Sequence, residues 1–174
     1  MGIQFETDYN METLTAMAKG LRRTVRKKRS RRVHIFAAVV LILGLLTILA
    51  TTAGGEPLGA SGVVTLLALL VLILATVFED RLNAWFERKR LLPGTEHAAA
   101  TFEEDGYVSA TGVTESRFSY AQIVAVAETA RYFVFALSSH HTQAYDKRTI
   151  RGGSVEDFRA FIAEKTGKPV EKIK

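Results

Sequence analysis

The chain has 174 residues, 48% of them apolar, no cysteine and a formal net charge of +5. The missing cysteines exclude disulfides, thiolate catalysis and cysteine-ligated metal. The basic balance does not point to nucleic acid, because the charge is local: nine Lys and Arg lie between Lys19 and Arg32, whereas ten basic residues meet eleven acidic ones from Pro93 onward.

The first predicted element is a helix over Asp8 to Arg32, capped at Thr7 or Asp8, with Met11, Leu14, Met17, Leu21 and Val25 at helical spacing. Gly20 weakens this helix without ending it. Its other face becomes basic toward the apolar segment that follows. Together with the residues before it, it forms a first region, 1–32. Val33 to Ala53 is then almost wholly apolar. About 20 residues at 1.5 Å each cover a hydrocarbon core of roughly 30 Å, so the run is long enough to span a membrane. Residues 54–59, GGEPLG, break helix and turn the chain. Ala60 to Phe78 is a second uncharged run of spanning length. A cleaved signal peptide fits poorly, because a long periodic helix precedes the first run and no A-x-A-like site is evident.

Basic residues crowd both outer flanks, LRRTVRKKRSRR before the first span and EDRLNAWFERKR after the second, and the loop carries only Glu56. Basic flanks stay in the cytoplasm, so the prediction is an inner-membrane hairpin with both termini inside. The apolar spacing of Leu82, Trp85 and Phe86 continues the second helix to about Leu92, within the region 79–94 that Pro93-Gly94 closes. Counted from Ala60, that helix has about 33 residues and is about 50 Å long. Trp85 falls where a membrane-interface aromatic is expected.

Residues 95–174 change to short strand-like segments: HAAATF, YVSAT, TESRFSY, QIVAVAET, YFVFALS and QAYDKRTI. Gly106 marks a turn where positive φ is expected. SVEDFRAFIAEKTG then reads as a helix with Ser154 as cap, Asp157 at the third position and an apolar stripe of Phe158, Phe161 and Ile162. The fold class that follows is an α+β membrane protein: a transmembrane helical hairpin with cytoplasmic extensions, and a small antiparallel sheet or partial barrel capped by a C-terminal helix.

A basic helix, two spans a few residues apart and a strand-rich tail ending in a helix resemble the YcxB-like proteins of bacteria. The most specific stretch is FSYAQIVAVAETARYFVFALSSHHTQAYDKRTI: Tyr120 holds the family's aromatic position and Lys147-Arg148 its basic pair. Asp146 stands where the family has proline, and Ile150 where it has an aromatic. The resemblance implies that IQFETDY is an opening strand and that the C-terminal domain is pleckstrin-homology-like. It carries over no catalytic residue.

No phosphate loop, dinucleotide fingerprint, nucleophile elbow or zinc-helix motif occurs, and the spans hold no Asp, Glu, Lys or Arg. His140-His141 lacks a third ligand at metal spacing and reads as a solvated hairpin tip. No cofactor, metal or small-molecule substrate is expected, and no enzyme. The leading expectation is a membrane-tethered interaction module for a protein partner or a homo-oligomer. The second is a sensor of anionic membrane lipid through Arg22, Arg23, Arg26, Lys27, Lys28, Arg29, Arg31 and Arg32, aided by Lys147 and Arg148. Setting topology alone explains the basic block more simply. The third is an enzyme whose site is completed on assembly.

Overall fold

The computed structural model describes residues 2–55 and 57–173; Glu56, the acid of the predicted loop, lies outside them. Strand β1 (Ile3–Asp8) alternates, with Phe5 and Thr7 buried. Its partner is β2 (His97–Phe102), in antiparallel register from Ile3↔Phe102 to Asp8↔His97. Residues 9–96, with four helices among them, are therefore an insertion between two adjacent strands of one ladder. The sheet continues through β3 (Tyr107–Thr111) and β4 (Glu115–Phe118) in the order β1-β2-β3-β4.

The second sheet holds β5 (Ala125–Glu128), β6 (Tyr132–Ala136), β7 (Thr142–Asp146) and β8 (Val170–Lys172) in the order β7-β6-β5-β8. Among the described residues only β8 runs parallel to its neighbour. The chain is thus α+β, as expected, and its strands fall into two antiparallel-rich sheets where the sequence offered one small sheet or partial barrel. Among the described residues β1 also forms an isolated bridge, Gln4↔Arg151, to the segment after β7, and no ladder joins the two sheets into a closed barrel.

The run YFVFA of β6 is buried throughout because both of its faces are covered. Phe133 and Phe135 point into the main core with Phe5, Phe102, Tyr107 and Tyr145. Tyr132 and Val134 point to the other face, against Ala16, Ala127 and Ala144. Helix α5 (Val155–Thr166) closes the core between the sheets. Ser154 and Asp157 form a reciprocal capping box at its start, and Phe158 and Ile162 are fully buried. The Phe158 ring lies 4.7 Å from Phe5, 4.8 Å from Phe102 and 5.0 Å from Phe133. Gly106 does not adopt positive φ as expected. Glycine is needed there for space, since a Cβ would lie 2.5 Å from the Phe118 carbonyl oxygen.

Helix α1 (Met11–Arg23) starts at Asn10, whose Oδ1 accepts from the Glu12 and Thr13 amides at 2.9 and 3.0 Å. Thr7 and Asp8 are not caps, because both remain in the β1 ladder. The predicted helix to Arg32 is broken at Thr24–Arg26, and α2 (Lys27–Ala53) begins afresh. At the break the Thr24 hydroxyl donates to the Gly20 carbonyl and the Arg26 amide donates to Leu21. Helix α3 (Ala60–Val77) likewise gives way at Phe78 to α4 (Glu79–Arg90), so the predicted single helix to Leu92 is two.

A core helix of a water-soluble domain would have its apolar surface covered. Here Phe36 is 70% exposed, Leu49 61% and Val71 64%, while Ala37 and Leu69 are the buried residues of α2 and α3. Both helices are long and apolar enough to cross a membrane.

Against the second sheet, α1 lays Thr13, Ala16 and Gly20, a stripe of small residues beside the apolar one seen in the sequence. A Cβ at Gly20 would lie 2.7 Å from Val134 Cγ1. Gly20→Leu is expected to push α1 off the sheet and to destabilise by about 1–3 kcal/mol. The check is thermal unfolding of the full chain, with Ala18→Leu, at a half-buried position, as the milder comparison.

Candidate functional site

The helices meet the domain where the apolar runs end. Arg22 of α1 donates to Asp80 of α4 through Nε at 2.7 Å and Nη2 at 2.6 Å. This two-pronged bond raises the Arg22 pKa further and ties the start of α4 to α1. Glu79 Oε2 lies 3.7 Å from Arg22 Nε and 3.6 Å from His34 Nε2, and makes no hydrogen bond among the described residues. One residue of the basic block is therefore committed to joining helices.

A second, Arg26, holds the β6–β7 hairpin: Nε donates to the Ser139 carbonyl at 2.6 Å, and Nη2 lies 3.0 Å from His140 Nδ1. The remaining six, Arg23, Lys27, Lys28, Arg29, Arg31 and Arg32, are exposed, and among the described residues none forms an ion pair. Trp85 is 44% exposed, with Phe86 edge-on at 5.0 Å and Lys89 Nζ 3.6 Å above its ring.

Lys147 and Arg148 do not join this basic surface. Lys147 Nζ donates to Glu128 Oε1 at 3.0 Å and to the Thr129 carbonyl at 2.7 Å. Glu128, at the end of β5, also takes Arg159 of α5 in two hydrogen bonds of 2.7 and 2.8 Å. Chiefly through Arg159 and then Lys147, the Glu128 pKa falls to about 2, burial acting against the shift. Arg148 folds back on Asp146, which also takes Arg131 and caps the turn after β7 through the Arg148 amide. Asp146 thus gives structural sense to its place in the proline position. Tyr120, the aromatic of the same pattern, donates to the Glu103 carbonyl at 2.6 Å and reaches the Gly106 carbonyl at 3.0 Å.

Between the helical stalk, formed by α1, the start of α2 and α4, and the first sheet lies a cleft of about 940 Å³. Arg26, Arg29, Val33 and Glu79 line its end nearest the apolar helices, and Arg90 and Leu91 line its far end. Its wall on the sheet side carries Ser109, Thr111, Ser116 and Gln143. The sequence did not predict it, because helices separated by the hairpin and strands from both sheets build it together. His140 and His141 stand at its rim, and the described residues contain no group of three or more His, Asp or Glu that would hold a metal ion.

The features above define a class: an α+β chain whose strand-rich domain is interrupted, within one β-ladder, by a hairpin of apolar helices. Within it, residues 102–162 match the family model of the YcxB-like proteins, in agreement with the resemblance carried by the sequence. The match runs from the end of β2 into α5 and leaves out β1 and the helical hairpin. No curated protein and no solved structure matches the chain.

Proposed function

We propose that the chain is a non-enzymatic membrane protein whose α2–α3 hairpin crosses the inner membrane twice and holds a pleckstrin-homology-like domain at the cytoplasmic face for a protein partner or a second copy of itself. The observation that carries this reading is the pairing of β1 with β2 across the hairpin. A domain whose own ladder spans the insertion keeps both flanks in one compartment, and α1 and the Arg22–Asp80 bond fix it to the stalk. The excess of unpaired basic side chains at the flanks favours the cytoplasm as that compartment. Four antiparallel strands, then three, with a C-terminal helix closing the core, resemble the pleckstrin-homology-like arrangement, β8 being an addition.

The test is photocrosslinking in native membranes from Val113 and Val124, exposed apolar residues of the domain. A recurring protein adduct from either position is expected. Adducts to lipid alone, or none, would contradict the protein-partner reading. A second reading, contact with anionic lipid, is favoured by the six exposed cations in the first turns of α2 and just before it, each worth about 1 kcal/mol near an anionic surface.

A further inference from the structure

The geometry points to the cleft between stalk and first sheet as a binding site for the phosphate headgroup of an anionic lipid drawn from the adjoining leaflet. The inference rests on the lipid reading and narrows it from a diffuse basic surface to one built site. Three observations carry it.

The first is position. Val33 and Glu79 line one end of the cleft and flank the inner ends of the apolar runs, the level of the headgroups. Arg90 lies eleven residues farther along α4 than Glu79, about 16 Å away along a helix. The cleft therefore opens at the level of the membrane surface and runs inward for about 16 Å, deep enough to take a headgroup. The second is charge. Arg26 and Arg29 stand at the mouth without a carboxylate partner among the described residues. The Glu79 carboxylate there faces Arg22 and His34 at 3.7 and 3.6 Å, and Arg90 is only loosely paired, 3.7 Å from Glu87. The guanidinium of Arg26 is already oriented by the Ser139 carbonyl, so little freedom is lost when it meets a phosphate.

The third is a fixed donor inside. Gln143 is 7% exposed and lines the cleft. Its Oε1 accepts from the hydroxyls of Tyr107 at 2.8 Å and Tyr145 at 2.7 Å. The carboxamide is thereby oriented, and its Nε2 group, with no protein acceptor among the described residues, remains to donate to a ligand oxygen. The apolar wall at Val33, at the mouth, suits the glycerol and upper acyl carbons. A zwitterionic headgroup would bring its ammonium or choline among these cations, so the site discriminates by charge.

The test uses the full chain, purified after reconstitution in vesicles of equimolar phosphatidylglycerol and phosphatidylcholine, with co-purifying lipid counted by native mass spectrometry. Retained phosphatidylglycerol is expected, with a loss of about tenfold or more in the double variant Arg26→Gln, Arg29→Gln. The double variant Lys27→Gln, Arg31→Gln removes the same charge from exposed positions that do not line the cleft and is expected to retain the lipid. Gln143→Glu keeps an acceptor for both tyrosines but replaces the inner donor with a further, buried negative charge, and is expected to lose the lipid. Equal losses in the two arginine and lysine pairs, or displacement of the lipid by inorganic phosphate, would overturn the site. Crosslinking from Val113 and Val124 reads the partner proposal separately, so the two can fail independently.

Discussion

Glu128→Ala is expected to destabilise the full chain by about 3 kcal/mol, because it leaves Lys147 without a carboxylate in a largely covered site and Arg159 with only Glu156, 3.6 Å away. The two bonds to Arg159 tie β5 to α5, and the bond to Lys147 ties β5 to the end of β7, so all three elements should loosen together. Thermal unfolding of detergent-solubilised protein measures the loss. The same carboxylate gives a pH dependence. Its folded pKa, about 2, lies below the ordinary 4.5, so its contribution is complete above pH 4.5 and is lost as the pH falls through about 2. In Glu128→Gln that part of the acid dependence is expected to disappear.

Phe5→Ala should cost at least as much, about 3–5 kcal/mol, by opening a cavity among Phe102, Tyr145 and Phe158. Gln4→Ala, an exposed side chain in the same strand, is expected to stay within about 0.5 kcal/mol. Chemical unfolding followed by tyrosine fluorescence separates the two. For the same reason residues 95–174 alone should not fold: they lack β1, which fills one edge of the first sheet, and α1, which covers the outer face of β6.

The features legible in the sequence were those written in local patterns. The two apolar runs, the six strands of the tail and the Ser154–Asp157 cap all follow from periodicity or short-range chemistry. What escaped depends on distant partners. β1 and β2 pair across the whole hairpin, and nothing in either strand announces the other. β8 has three residues, and its pairing comes from lying parallel to β5. Met17 and Leu21 disclosed one face of α1, but Thr13, Ala16 and Gly20 matter because the sheet approaches them. Lys147-Arg148 reads as surface charge until Glu128 and Asp146 stand beside it. Of the basic block, the sequence could not separate Arg22 and Arg26, which hold helix to helix and helix to hairpin, from the six residues that remain exposed.

The central claim is that a domain built from both sides of the hairpin sits in one compartment while the hairpin crosses the membrane. With no native cysteine, single-cysteine variants at Gln4, Leu58 and Glu171 report it directly in intact cells and spheroplasts, using an impermeant thiol reagent. The account predicts labelling from outside at position 58 and protection at 4 and 171 until the membrane is opened. Labelling of 4 and 171 on opposite sides, or of all three from one side, would contradict it.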